Sequence, residues 1–167
     1  MDLLNFEGQE LYFDEPLDET VQALIAAASE SYGEGSAEAP LLEAQSLAPH
    51  SLTVLVALYR FYYYQHRLEE AIEIAEQALD ITARDLALPR DWRRLSELHI
   101  AHAALTSMGS LRFHLLCLKA EAYLLLRLGR EEDGKAILRK LLELDGNNRL
   151  GARQLLDVVE TRLRVVG

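Results

Sequence analysis

Residues 68–82 read LEEAIEIAEQALDIT, and residues 36–49, SAEAPLLEAQSLAP, carry the same pattern 34 positions earlier. Ala37, Leu41 and Ala44 return as Ala71, Ala75 and Ala78, while Val21, Leu24 and Ala28 return as Leu55, Leu58 and Tyr62. Each unit reads as two amphipathic helices, with apolar residues at i, i+3, i+4 and i+7 in the first and small residues in the second. Small side chains at fixed points let helices approach closely. A period of this length means stacked units that share a continuous core, so the chain is expected to be all-α and built of antiparallel helix pairs.

The pairs are expected over residues 18–51, 52–85 and 115–148. The third runs through AYLLLRLGREEDGKAILRKLLELDGNN, with Gly129 at its inter-helix turn and Gly134 and Leu141 where the first two units carry alanine. Residues 86–114 fit no full repeat. Pro89 followed by Asp91, a good cap, predicts one inserted helix near residues 91–108, stopped by Gly109 and Ser110. After Asn147 and Asn148, residues 149–165 read as a capping helix whose Leu155, Val158, Val159 and Leu163 make an apolar stripe beneath Arg153, Arg162 and Arg164. Residues 1–14 are expected to form an arm or short hairpin ahead of a single domain over residues 15–167.

This organisation resembles the tetratricopeptide repeat (TPR) family, whose 34-residue helix-turn-helix unit carries small and large apolar residues at fixed positions. The resemblance covers about 100 residues of the chain. Pro49 stands where that family expects its proline, whereas the second unit has Ala83 there. The resemblance implies a TPR-like α-solenoid with a concave face on which peptide segments lie. One TPR subclass clamps a C-terminal carboxylate with lysines and asparagines, and here the asparagines are missing.

Five of the chain's twelve aromatic residues fall within residues 59–64, YRFYYY. On an ideal helix Leu55, Leu58, Tyr59 and Tyr62 share one stripe, read as core, and Phe61 packs against a neighbouring repeat. Val56, Arg60, Tyr63 and Tyr64 form the adjacent stripe, which the TPR resemblance places on the concave face. The matching positions of the third unit include Lys119, Tyr123 and Arg127, and those of the first are Glu19, Gln22, Ala26, Ser29 and Glu30. Arg and Tyr give large contact area and polar specificity at limited entropic cost. The partner-binding set is therefore Val56, Arg60, Tyr63, Tyr64, Lys119, Tyr123 and Arg127, with the cations as anion partners; the alternative is that the inserted helix, the N-terminal arm or a second copy fills the same groove.

Charge narrows the partners. Net charge is −10, and residues 1–59 hold eleven acids and no Lys or Arg, against sixteen acids and seventeen bases over residues 60–167. Such a balance argues against nucleic acid. No apolar run reaches the roughly 20 residues needed to span a bilayer, and the N-terminus lacks a signal-peptide pattern. A cytoplasmic protein is expected, with its lone Cys117 an inert buried thiol.

His99 with His102, and His114 with Cys117, stand three apart, a spacing that places each pair on one helical face and suits Zn in chemistry though not in finger spacing. No resident metal or cofactor is expected. Phosphate loop, nucleophile elbow and HExxH are all absent. The expectation is a non-catalytic protein-interaction module, an adaptor or assembly chaperone; the alternatives are a self-assembling module joining acidic and Arg-rich ends, and a metal-binding accessory factor using the His and Cys pairs. The run LTVLVALYRFYYYQHRLEEA, with LNFEGQELYF before it and LPRDWRRL after it, is further similar to small TPR proteins that accompany bacterial nitrogen-fixation genes. That similarity implies an accessory role in nitrogenase maturation, cofactor delivery or electron supply.

Overall fold

A computed structural model describes residues 15–31 and 36–166, with the side chains of the last helix described as far as residue 161. The expected arm over residues 1–14, and the Arg162, Leu163 and Arg164 side chains, lie outside these. Among the described residues the chain is helical throughout: α1 (Glu19–Glu30), α2 (Glu38–Leu47), α3 (Leu52–Tyr64), α4 (Leu68–Asp85), α5 (Glu97–Thr106), α6 (Met108–Arg127), α7 (Glu131–Leu144) and α8 (Ala152–Val166).

Local chemistry sets these boundaries. Asp18 accepts from the Thr20 N–H at 2.8 Å to start α1, and Ser51 accepts from the Val54 N–H at 3.2 Å to start α3. Each satisfies an amide that the first helical turn leaves without a partner. Glu15 braces the second cap, its carboxylate accepting from the Ser51 hydroxyl at 2.7 Å and the Thr53 N–H at 3.1 Å. Between α6 and α7 the chain reverses at Gly129, whose φ of 78° suits a residue without Cβ.

Packing is serial: α1 on α2, α2 on α3, α3 on α4, α4 on α6, α6 on α7, and α7 on α8. The aligned Ala37, Ala71 and Gly134 are all buried. At Gly134 the reason is direct, since a Cβ there would sit 2.8 Å from the Ala122 carbonyl oxygen and 2.8 Å from Leu126 Cγ. Arg67, in the turn between α3 and α4, ties neighbouring pairs together. Its guanidinium donates to Glu38 at 2.7 Å and Glu70 at 2.8 Å and lies 4.7 Å from the Tyr62 ring centroid. Tyr62 donates to Glu38 at 3.1 Å, and burial together with that carboxylate pushes its phenol up to about 12.

The insertion differs from expectation. Asp91 does act as a cap, accepting from the Arg93 N–H at 3.0 Å, but it starts only a 3₁₀ turn, Trp92–Arg94, which packs on α7. The helix proper is the ten-residue α5, leaning on α6. Gly109 and Ser110 do not end a helix: Ser107 accepts from the Ser110 N–H at 3.2 Å and opens the twenty-residue α6 there. A hydroxyl cap outweighs one glycine in the first turn. In α8 the buried positions are Ala152 and Leu156, whereas Val158 is 53% exposed, so the apolar face is turned from the expected stripe. Leu155 still packs against the core.

Candidate functional site

Helix α3 is buried along most of its length. Leu55, Leu58, Tyr59, Tyr62 and Phe61 are core, and Val56 and Tyr63, expected to line a groove, are each only 8% exposed. Tyr64 at the C-terminal end is 50% exposed, and Arg60 is half-buried. On α6, Lys119 is buried, Tyr123 half-buried and Arg127 exposed.

Five of these side chains form a continuous row across two helices. The Tyr59 and Tyr63 rings stack at 6.1 Å with planes 12° apart, and Tyr63 meets the Tyr64 ring edge-on at 5.5 Å. Tyr63 also reaches the Tyr123 ring, 6.4 Å away on α6. Arg127 Nη1 then donates to the Tyr123 hydroxyl at 3.1 Å, its guanidinium 5.8 Å from the ring centroid. Burial raises the Tyr123 phenol, and the guanidinium and Tyr63 outweigh that effect, leaving it below its ordinary value. Ring pairs of this kind add about 0.5–1.5 kcal/mol each beyond burial and fix rotamers. The row thus has a rigid buried end at Tyr59 and Tyr63 and an accessible end at Tyr64, Tyr123 and Arg127.

Lys119 stands apart. Its Nζ lies 3.5 Å from where a Cβ on Gly151 would project, at the turn that opens α8, and burial lowers the pKa of its ammonium. The corresponding positions of α1, Glu19, Gln22, Ala26, Ser29 and Glu30, are exposed.

The four metal-ligand candidates are not assembled. His99 and His102 sit on α5, where His99 Nδ1 shares a 2.8 Å hydrogen bond with Ser96 Oγ and His102 is exposed. His114 and Cys117 are buried on α6, and burial pushes the Cys117 thiol up, away from the thiolate that would ligate. Among the described residues no three His, Cys, Asp or Glu side chains are grouped to hold a metal ion. The reading through His99, His102, His114 and Cys117 is therefore set aside.

Sequence reasoning missed a cavity of about 740 Å³ between α4, α6, α7 and the 3₁₀ turn. Its α6 wall is the stripe His114, Leu118, Glu121 and Leu125, faced by Glu76 of α4 and Trp92 of the insertion. Glu121 is held to about 7, first by burial and then by the negative charge of Glu76. The available signal was one acid at helical spacing within the otherwise apolar stripe of LLCLKAEAYLLL.

Among the described residues no helix is long and apolar enough to cross a membrane. No family model matches the chain, and no solved structure matches it. Over 159 residues it is 57% identical to the uncharacterized 19.8 kDa protein in the nifW 5′ region of Azotobacter chroococcum mcd 1, an alignment covering 95% of this chain and 89% of that one.

Proposed function

Because the chain belongs to the family of that Azotobacter nifW-region protein, we propose that it is a non-catalytic interaction module, an adaptor or assembly chaperone in the cytoplasm that serves nitrogen fixation as an accessory factor. In this reading the serial helix pairs form a TPR-like α-solenoid, and α3 and α6 present successive first helices to one face. The observation that carries it is the tyrosine row, with Tyr64, Tyr123 and Arg127 at its accessible end. A peptide of the partner protein lies against those rings, and Arg127 orients an acidic group on it. Val56 and Tyr63 support the surface from within, and Arg60 flanks it.

Self-association is a second reading, favoured by the apolar surface at α5 and the start of α6: Leu98 is 79%, Leu105 89% and Met108 63% exposed. Affinity capture from nitrogen-fixing cells separates the two. The wild-type chain is expected to retain a defined protein that the Tyr64→Ala, Arg127→Ala double variant loses while keeping its helical circular dichroism. Equal capture by both would remove the tyrosine row as the working surface, and retention of further copies of the chain alone would favour the second reading.

A further inference from the structure

The cavity behind the 3₁₀ turn is independent of the tyrosine row, and its lining has a chemical bias. Most of its arginines are engaged internally: Arg90 with Asp80, Arg130 with Asp133 at 3.2 Å, and Arg93 with Asp91 at 3.5 Å while lying 4.3 Å from the Trp92 ring centroid. Arg94 is exposed. Glu76 and Glu121, by contrast, make no ion pair or hydrogen bond among the described residues.

The cavity's third acceptor follows from proton accounting. Thr82 has one hydroxyl proton and donates it to the Ala78 carbonyl at 2.8 Å, because a carbonyl oxygen can only accept. The 2.7 Å contact between Thr82 Oγ1 and His114 Nδ1 is then donated by the imidazole. Nε2 is left as a lone pair on a ring that is 3% exposed and lines the cavity, without a hydrogen-bond partner among the described residues. Burial lowers His114 to about 4, so the ring is neutral near pH 7.

An imidazole acceptor and two carboxylates thus face one space. His114 and Glu121 are seven residues apart on α6, about 10 Å along the axis, too far for one metal ion but suited to an elongated donor. We propose that this cavity binds a small organic cation with N–H donors, an ammonium or guanidinium compound, seated between Glu76, Glu121 and His114 Nε2 and bordered by Trp92. The volume falls within the usual range for small-ligand sites, and charge-assisted hydrogen bonds would stabilise the Glu121 carboxylate, which burial otherwise disfavours. Charged groups from each wall bear on Glu121: Glu76 from α4, Arg130 from the start of α7 and Arg93 from the insertion; Asp80, Arg90, Asp91, Arg94 and Asp133 also line the cavity.

Isothermal titration calorimetry with agmatine, which carries both a guanidinium and an ammonium, tests the assignment on the full chain at physiological ionic strength. Expected at pH 8 is saturable binding with Kd below about 1 mM, weakened about tenfold by Glu121→Gln and about tenfold at pH 5.5, where Glu121 is protonated. Glu73→Gln, at an exposed acid outside the cavity, should leave it unchanged. N-acetylargininamide distinguishes the source: equal binding assigns the site to an arginine side chain of another protein, and binding of agmatine alone to a free small molecule. Absence of saturable heat with both probes, equal binding of tetramethylammonium, or binding indifferent to Glu121→Gln would overturn the proposal.

Discussion

Glu121 shows how one residue departs from its stripe. Folding moves its carboxyl from the ordinary 4.5 to about 7, so the native state holds a proton more tightly than the unfolded chain. The resulting cost is absent below about pH 4.5, grows as pH rises, and is complete above about pH 7. Glu121→Gln should therefore stabilise the ligand-free protein at pH 8, by about 1–3 kcal/mol, and leave it unchanged near pH 4. Urea denaturation at the two pH values checks this; equal effects at both would mean that the carboxyl is not strained by burial. At this scale the sequence was legible for the core and less so for the site. Tyr59 and Tyr62 are buried as helical spacing predicts, whereas the burial of Val56 and Tyr63 depends on what packs over α3, which one helix cannot show. Tyr64 and Arg127 were recognisable as residue types, but their shared accessible edge joins residues more than sixty positions apart.

Among the elements, those set by period and small residues were legible, and those set by caps were less so. The 34-residue spacing aligned Ala37 with Ala71, and the third unit, offset past the insertion, set Gly134 at the same place; α7 does cross α6 where no Cβ fits. Gly134→Ala should lower stability by about 1–3 kcal/mol, the usual cost of overpacking, even though alanine is the better helix former by about 1 kcal/mol. Chemical denaturation measures the net; a stabilised variant would show that the crossing is looser than described. The insertion was misjudged because Asp91, Ser96 and Ser107 all compete to begin helices. Pattern alone treated residues 91–108 as one segment, while the hydroxyl of Ser107 divides α5 from α6.

As a whole molecule, the chain is a series of packed helices in which α4 meets α6 and α5 leans on α6, with every Lys and Arg after residue 59 and acids in both parts. This packing buries a continuous core along the described helices. The all-helical character of the described residues was legible because apolar residues recur at helical spacing along the chain. Occupancy of the faces was not, since a partner's contribution is absent from this chain's own sequence. In the proposed function the accessible end of the tyrosine row meets another protein. The most direct test is site-specific photo-crosslinking in nitrogen-fixing cells, with a benzophenone amino acid at position 64, at position 127, and at the exposed Val158 as a control. One shared crosslinked protein is expected from positions 64 and 127, and none from 158. The same adduct from all three positions, or none from 64 and 127, would contradict it.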